Sequence, residues 1–367
     1  MNDPTPHARI ADLGGLTEIV PYLLGFTPQE SMVLMATVAG RVEVTARADL
    51  ADVQRAGLLE DLCDRLQHRF PTATILTLAY TDRAEVGWHM LRRAEQHLGA
   101  RGAPTRLLVT GDTWYDAQGR SGTIDRYGPL AAQAAVHGLR RENQRSDLAN
   151  RFQSPPLTDT MRDIILDALD SLPPNHAIPD QIRLTHQLID RHAADGGAHL
   201  DTADAARLTT LTHLPAAADL AMGLIGHPVD AIQHLALWTT VVNRLPERLT
   251  ETPLQLAAVA AWVAGEGAIS TVALEAADKI QIVPANTPMC TLLDIVNRQV
   301  MPPAMWRDIR DEIVSTAHPT VRALLDAQNR PAADQPQAPW ETVEPPDHHD
   351  PRTDPPQPAR PATGPAI

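Results

Sequence analysis

The sequence predicts an α+β protein built in three stretches. An N-terminal α/β domain with a mixed sheet in ββαβαβ order spans residues 10–130. An all-α helical domain spans residues 131–328, and a disordered, Pro-rich acidic tail spans residues 329–367. Three observations carry this. Strand-like apolar runs alternate with amphipathic helices up to Gly128. After Pro129 every periodic segment has the helical repeat. From Asn329 onward 11 of 39 residues are proline and the apolar residues are too sparse to offset the entropy of ordering.

The first elements are read from "LLGFTPQESMVLM", residues 23–35. A short helix over Leu16 to Leu24 ends at Gly25, well placed as the C′ residue. Thr27-Pro28-Gln29-Glu30 has the form of a capping box closing a single turn. The runs "SMVLMATV" (31–38) and "RVEVTARADL" (41–50) are joined by Ala39-Gly40, a hairpin signal. Val42, Val44 and Ala46 alternate with polar neighbours, as in a half-buried strand. Val53, Ala56, Leu59, Leu62, Cys63, Leu66 and Phe70 share one face of a helix that Pro71 ends. "TATILTLAY" (72–80) is a nearly unbroken apolar strand, the pattern of one covered on both faces. Val86, Met90, Ala94 and Leu98 mark a second amphipathic helix, stopped by Gly99 and Gly102, and "TRLLVTG" (105–111) is the fourth strand.

In the second half, Met161, Ile164, Ile165, Ala168, Leu169 and Leu172 repeat at helical spacing. Prolines at 155–156, 173–174, 215, 228, 246, 253 and 302–303 punctuate about seven or eight helices. Trp262, Gly265, Gly267, Ala268, Ala273 and Ala276 suggest a helix hairpin packed closely at small residues, with Trp306 locking the next helix onto it. No second copy at a fixed period supports a repeat array.

Several separated segments also resemble one family in the same order. "LLGFTPQESMVLM" with Arg47-x-Asp49, "TWYDAQG" (113–119), "YGPLAAQAAVHGL" (127–139), "RSDL" (145–148), "AAWVAGEGAISTVALEAA" (260–277) and "MPPAMWRDI" (301–309) are similar to the actinobacterial domain-of-unknown-function family 4192. The likeness covers roughly residues 10 to 328. The segment "ADKIQIVPANTPM" departs from that family's usual helix–Asp-Pro–helix connection. The resemblance implies no activity, since the family has no established one.

Composition narrows the function classes. A net charge of −14 argues against nucleic acid and anionic membrane as partners. No apolar run approaches the roughly 18 residues that span a bilayer. "MNDPTPHARIADL" lacks the apolar core of a secretory leader, so the sequence predicts a cytoplasmic protein. Cys63 and Cys290 stand far apart among apolar residues and read as buried free thiols. Phosphate-loop, nucleophile-elbow, zinc-protease and paired C-x-x-C signatures are absent from the sequence. His348 and His349 lie in the tail, and His186 and His192 are poorly spaced for one metal ion.

Topology suggests where a site would lie. With standard crossovers, strands two, three and four run parallel and the hairpin brings the start of strand one to the same edge. Glu30, Ser31, Arg47, Asp49, Asp82 and Asp112 then converge at the carboxyl edge, where open α/β sheets bind ligands. Thr27 stands at the lip, and Trp114 and Tyr115 offer aromatic walls. Two readings follow. In the first, the protein is a non-catalytic binder of a small ligand or a protein partner and needs no cofactor. In the second, it is a Mg²⁺-dependent enzyme acting on a phosphorylated substrate at that edge. The missing nucleophile and base signatures favour the first. A bland alternative remains, in which Thr27, Glu30 and Asp49 only hold a rigid connector.

Overall fold

The computed structural model describes residues 13–55, 57–99, 102–136, 140–174, 177–280, 288–299 and 301–328. The N-terminal elements are α1 (Leu13–Leu24), β1 (Ser31–Val38), β2 (Arg41–Asp49), α2 (Leu50–Val53), α3 (Leu58–Arg69), β3 (Thr74–Tyr80), α4 (Ala84–Leu98), β4 (Gly102–Thr110), β5 (Thr113–Asp116) and β6 (Ser121–Thr123). Helices follow: α5 (Pro129–Val136), α6 (Arg145–Ala149), α7 (Asp159–Asp170), α8 (Ile178–Ala193), α9 (Thr202–Thr212), α10 (Pro215–Gly223), α11 (Pro228–Arg244), α12 (Glu251–Val263), α13 (Gly267–Ile280), α14 (Pro288–Gln299), α15 (Trp306–Thr316) and α16 (Pro319–Gln328).

The mixed sheet and the helical second half are as the sequence predicts. The six strands lie in the order β2-β1-β3-β4-β5-β6. β1 pairs antiparallel with both β2 and β3, and β3 pairs parallel with β4. β2, β3 and β4 therefore share one direction, with β1 set between the first two. The β1–β2 hairpin turns at Ala39 and Gly40, whose φ values of 49° and 79° are the paired positive angles of a two-residue hairpin.

Both faces of the sheet are covered, giving three layers. On one face Met32, Leu34, Ala36, Ile75, Ala79 and Leu108 pack against α3 and α4 through Leu59, Cys63, Leu66, Met90, Leu91 and Ala94. On the other, Val33, Met35, Leu78, Leu107 and Val109 meet α1 (Leu16, Val20, Leu24) and residues of the helical half, Ala261, Ile269 and Val272. Elements change type near Pro129, yet the two halves share this apolar layer. Contacts group residues through Leu325 as one compact unit. A second begins at Asp326, of which the described part is the last turn of α16.

Four expectations are corrected. The amphipathic run beginning at Val53 is broken into α2 and α3, because Gly57 takes φ 91° at the start of α3. Two short strands, β5 and β6, extend the sheet beyond the four expected. Residues 27–30 form no helical turn, so the capping box does not close. The second half holds twelve α-helices among the described residues, more than the seven or eight expected, because several are too short to show a period.

The α12–α13 hairpin forms as expected, but its close packing comes from alanines. Ala257, Ala258, Ala260, Ala261 and Ala273 are fully buried, whereas a side chain added at Gly265 or Gly267 would meet open space. Gly265, with φ 84°, instead makes the turn. Trp262 is 5% exposed, donates from Nε1 to the Met301 carbonyl at 3.0 Å, and meets Trp306 edge-to-face at 6.0 Å between ring centroids. Trp306 donates in turn to the Ile225 carbonyl at 2.5 Å, so α15 is locked to the hairpin and to the end of α10. The tail expectation, with His348 and His349, lies outside the described residues, as does the side chain of Cys290. Cys63 is a buried free thiol.

Candidate functional site

The carboxyl edge of β2, β3 and β4 gathers the chain ends that the topology predicts. Ser31 pairs in register with Asp49 on one side and Tyr80 on the other, and Tyr80 with Val109. The following residues knit the edge together: Thr81 N donates to Val109 O at 3.0 Å, and Thr110 Oγ1 donates to Thr81 O at 3.0 Å.

A cleft of about 440 Å³ opens above this edge. Tyr80, Thr81, Val109 and Gly111 form its floor. One wall is α1, through Thr17, Glu18 and Pro21. Pro21 has no N–H, so the Thr17 carbonyl one turn back loses its usual i+4 helical donor. The lip is Thr27, Pro28, Gln29 and Glu30, and the far wall is Ile124, Arg126, Arg141 and Asn143. A two-strand clamp fixes the distance between lip and far wall: Thr27 N donates to Glu142 O at 3.0 Å, and Glu142 N to Gly25 O at 2.8 Å.

Of the residues the sequence nominates, Thr27, Glu30 and Asp82 line this cleft. Glu30 sits at φ 41° and is held from three sides: its carbonyl accepts from Leu50 N at 2.7 Å, Oε1 accepts from Thr81 Oγ1 at 2.6 Å, and Oε2 accepts from Arg83 Nε at 3.1 Å. Partial burial alone would raise its pKa, but the hydrogen bonds from Thr81 and Arg83 and the arginine's charge outweigh that, and the carboxyl is held below its ordinary value.

The other nominated residues serve the rim. Ser31 is buried, donates to Gln29 O at 2.6 Å and accepts from Arg47 Nε at 2.9 Å. Arg47 pairs with Asp49 at 2.5 Å and lies 5.7 Å from the Phe26 ring centroid. Asp112 pairs with Arg126 of the far wall at 2.5 Å. Trp114 and Tyr115 stand on β5 outside the lining. Trp114 packs at the edge of the apolar layer under α1, with its ring against Gly122, and Tyr115 is exposed. The "TWYDAQG" segment is a hairpin device. The buried Asp116 carboxylate accepts from Gln118 N at 3.0 Å, Arg120 N at 2.8 Å and Arg120 Nε at 2.6 Å.

Glu30, Asp49 and Asp112 thus each face an arginine. Among the described residues no three His, Cys, Asp or Glu side chains come together as a group that could hold a metal ion. Sequence reasoning missed Glu18, Arg126, Arg141 and Asn143. Glu18 sits on a helix read only as a lead-in. The others come from loops beyond the last strand, with no local pattern that signals proximity to the edge. Arg141 is half-buried, its guanidinium 5.3 Å from the Tyr22 ring centroid. Among the described residues it has no carboxylate partner; its one hydrogen bond is a long contact of 3.5 Å to the Arg126 carbonyl.

No described helix is long and apolar enough to cross a membrane. No curated protein and no solved structure matches the chain. Residues 14–304 match the family described as Domain of unknown function (DUF4192), and since that match spans most of the chain, the protein belongs to this family.

Proposed function

We propose that the protein is a cytoplasmic, non-catalytic binding protein whose cleft at the carboxyl edge of β2, β3 and β4 takes a small polar ligand. The observation that carries this reading is the half-buried Arg141, held at the wall of a preformed cleft without an acidic partner among the described residues, while Arg126 of the same wall and Arg83 beside the lip each have one. Open α/β sheets bind ligands at this edge, where the chain ends diverge and leave room. The clamp between residues 25–27 and Glu142 keeps the opening fixed, which lowers the entropy lost on binding.

The test is a melting-temperature screen of wild type and Gln29→Trp against nucleotides, sugars, amino acids, organic acids and phosphorylated metabolites. Gln29 is an exposed lip residue whose side chain makes none of the rim bonds described above, so the indole should block the opening and leave the fold intact. The expected result is a compound that raises the melting temperature of wild type and not of the variant. A screen with no response in wild type, or equal responses in both proteins, overturns the reading.

A further inference from the structure

The charges left over in the cleft after internal pairing describe the ligand. Glu30 is matched by Arg83, and Arg126 by Asp112. Arg141 remains on the far wall. Glu18 remains on α1, where Oε1 accepts only from the Asp125 N–H at 3.3 Å, and Asp82 follows β3 with no cationic partner among the described residues. A cleft with one unmatched guanidinium and two unmatched carboxylates is bipolar.

We infer that the ligand is a small zwitterion of α-amino-acid type, its carboxylate taken by Arg141 and its ammonium by the carboxylates of Glu18 and Asp82; this rests on the binding function proposed above. The Arg141 guanidinium lies against the Tyr22 ring and its Nη2 reaches the Arg126 carbonyl. The Tyr22 ring thus backs the flat face of the guanidinium and leaves its edge for bidentate carboxylate recognition. A phosphate dianion fits the same fork but would stand near the carboxylates of Glu18, Glu30 and Asp82 in a chain of net charge −14. A simple amine would satisfy the acids and leave the half-buried guanidinium unmatched. A ligand carrying both charges answers the guanidinium and the carboxylates together.

The experiment uses the full chain and calorimetric binding beside melting curves. The probes are the twenty common L-amino acids, the methyl ester and the des-amino acid of the best of them, inorganic phosphate and glycerol 3-phosphate. At least one amino acid should raise the melting temperature by about 5 °C at a hundredfold excess over its Kd. Its ester and its des-amino acid should bind at least tenfold more weakly. Arg141→Met should abolish the response and Asp82→Asn should weaken it at least tenfold, with circular dichroism unchanged. Should Arg141→Met fail to fold, Arg141→Lys keeps the charge but loses the fork, and it should also bind at least tenfold more weakly. Equal binding of the ester or the des-amino acid, or unaltered binding by the Arg141 variants, overturns the zwitterion assignment. A response to phosphate or glycerol 3-phosphate that Gln29→Trp removes overturns it too, while leaving the binding site standing. Silence from every probe here and in the wider screen overturns both.

Discussion

Glu30 and Arg83 meet at the lip of the cleft, and the glutamate that makes this pair occupies a left-handed backbone conformation, φ 41°, that a residue with a Cβ adopts at a cost. The ion pair is exposed and contributes little to stability. The position of Glu30 is therefore set by its other bonds, to Thr81 Oγ1 and to Leu50 N.

Two substitutions separate backbone from side chain. Glu30→Ala removes the carboxylate and keeps the strain. Glu30→Gly removes both. The glycine variant should be the more stable of the two by about 1 kcal/mol, read from urea unfolding of each. Equal stabilities would mean that the backbone here is not strained.

Trp262 holds three parts of the helical half together. Trp262→Ala should destabilise by roughly 3–5 kcal/mol, since it opens a cavity, removes the bond to the Met301 carbonyl and strips Trp306 of its edge-to-face neighbour. Trp262→Phe should recover part of this loss, because it restores a ring without the N–H donor. A melting temperature unchanged in the alanine variant would contradict the packing described.

Stability should fall in mild acid through His234. Burial holds this imidazole down at about 4, against an ordinary value of 6.5, although Asp230 one turn earlier pulls the other way. The unfolded chain binds the proton first. Stability contributed by the neutral ring is therefore full above the unfolded value and is lost as pH falls from 6.5 towards about 4. At pH 5 the loss should be about 2 kcal/mol relative to pH 7.5. His234→Leu should flatten this part of the profile in urea unfolding at the two pH values. A profile that stays as steep would assign it to other groups.

The Cys63 thiol should resist alkylation in the folded protein. Burial first, then the nearby Asp64 and Glu60, push its pKa up to about 12, so the thiolate is scarce and screened from reagent. In a Cys290→Ser background, iodoacetamide at pH 8 should label the native chain at least a hundredfold more slowly than the urea-unfolded chain. Comparable rates would place Cys63 at the surface.

What the sequence carried legibly was local. The β1–β2 hairpin follows from Ala39-Gly40 and the alternation after it, and the double-sided burial of β3 follows from an apolar run without alternation. The convergence of Ser31 and Asp49 needed only the hairpin and the shared strand direction. The apparent capping box was misleading because Glu30 finds its partners at Thr81 and Arg83, about fifty residues away, and tertiary bonds override a local motif. β5 and β6 were hidden because strands of four and three residues show no period and their turn is organised by Asp116. The far wall was hidden for a related reason. Nothing in "RRENQ" predicts that Glu142 bridges to Phe26 and brings Arg141 to the cleft.

The apolar layer shared by the two halves has a consequence for synthesis. The last strand of the sheet ends at Thr123, but the face bearing Val33, Leu78 and Leu107 is completed only by Ala261, Ile269 and Val272. A chain growing from its N-terminus must carry that greasy face uncovered, or loosely shielded by α1, until those helices emerge. A fragment stopped near Pro129 would hold every described strand and still lack the cover for its sheet. It should precipitate or need a holding chaperone, so the strand-bearing segment behaves as a ward of the helices made after it.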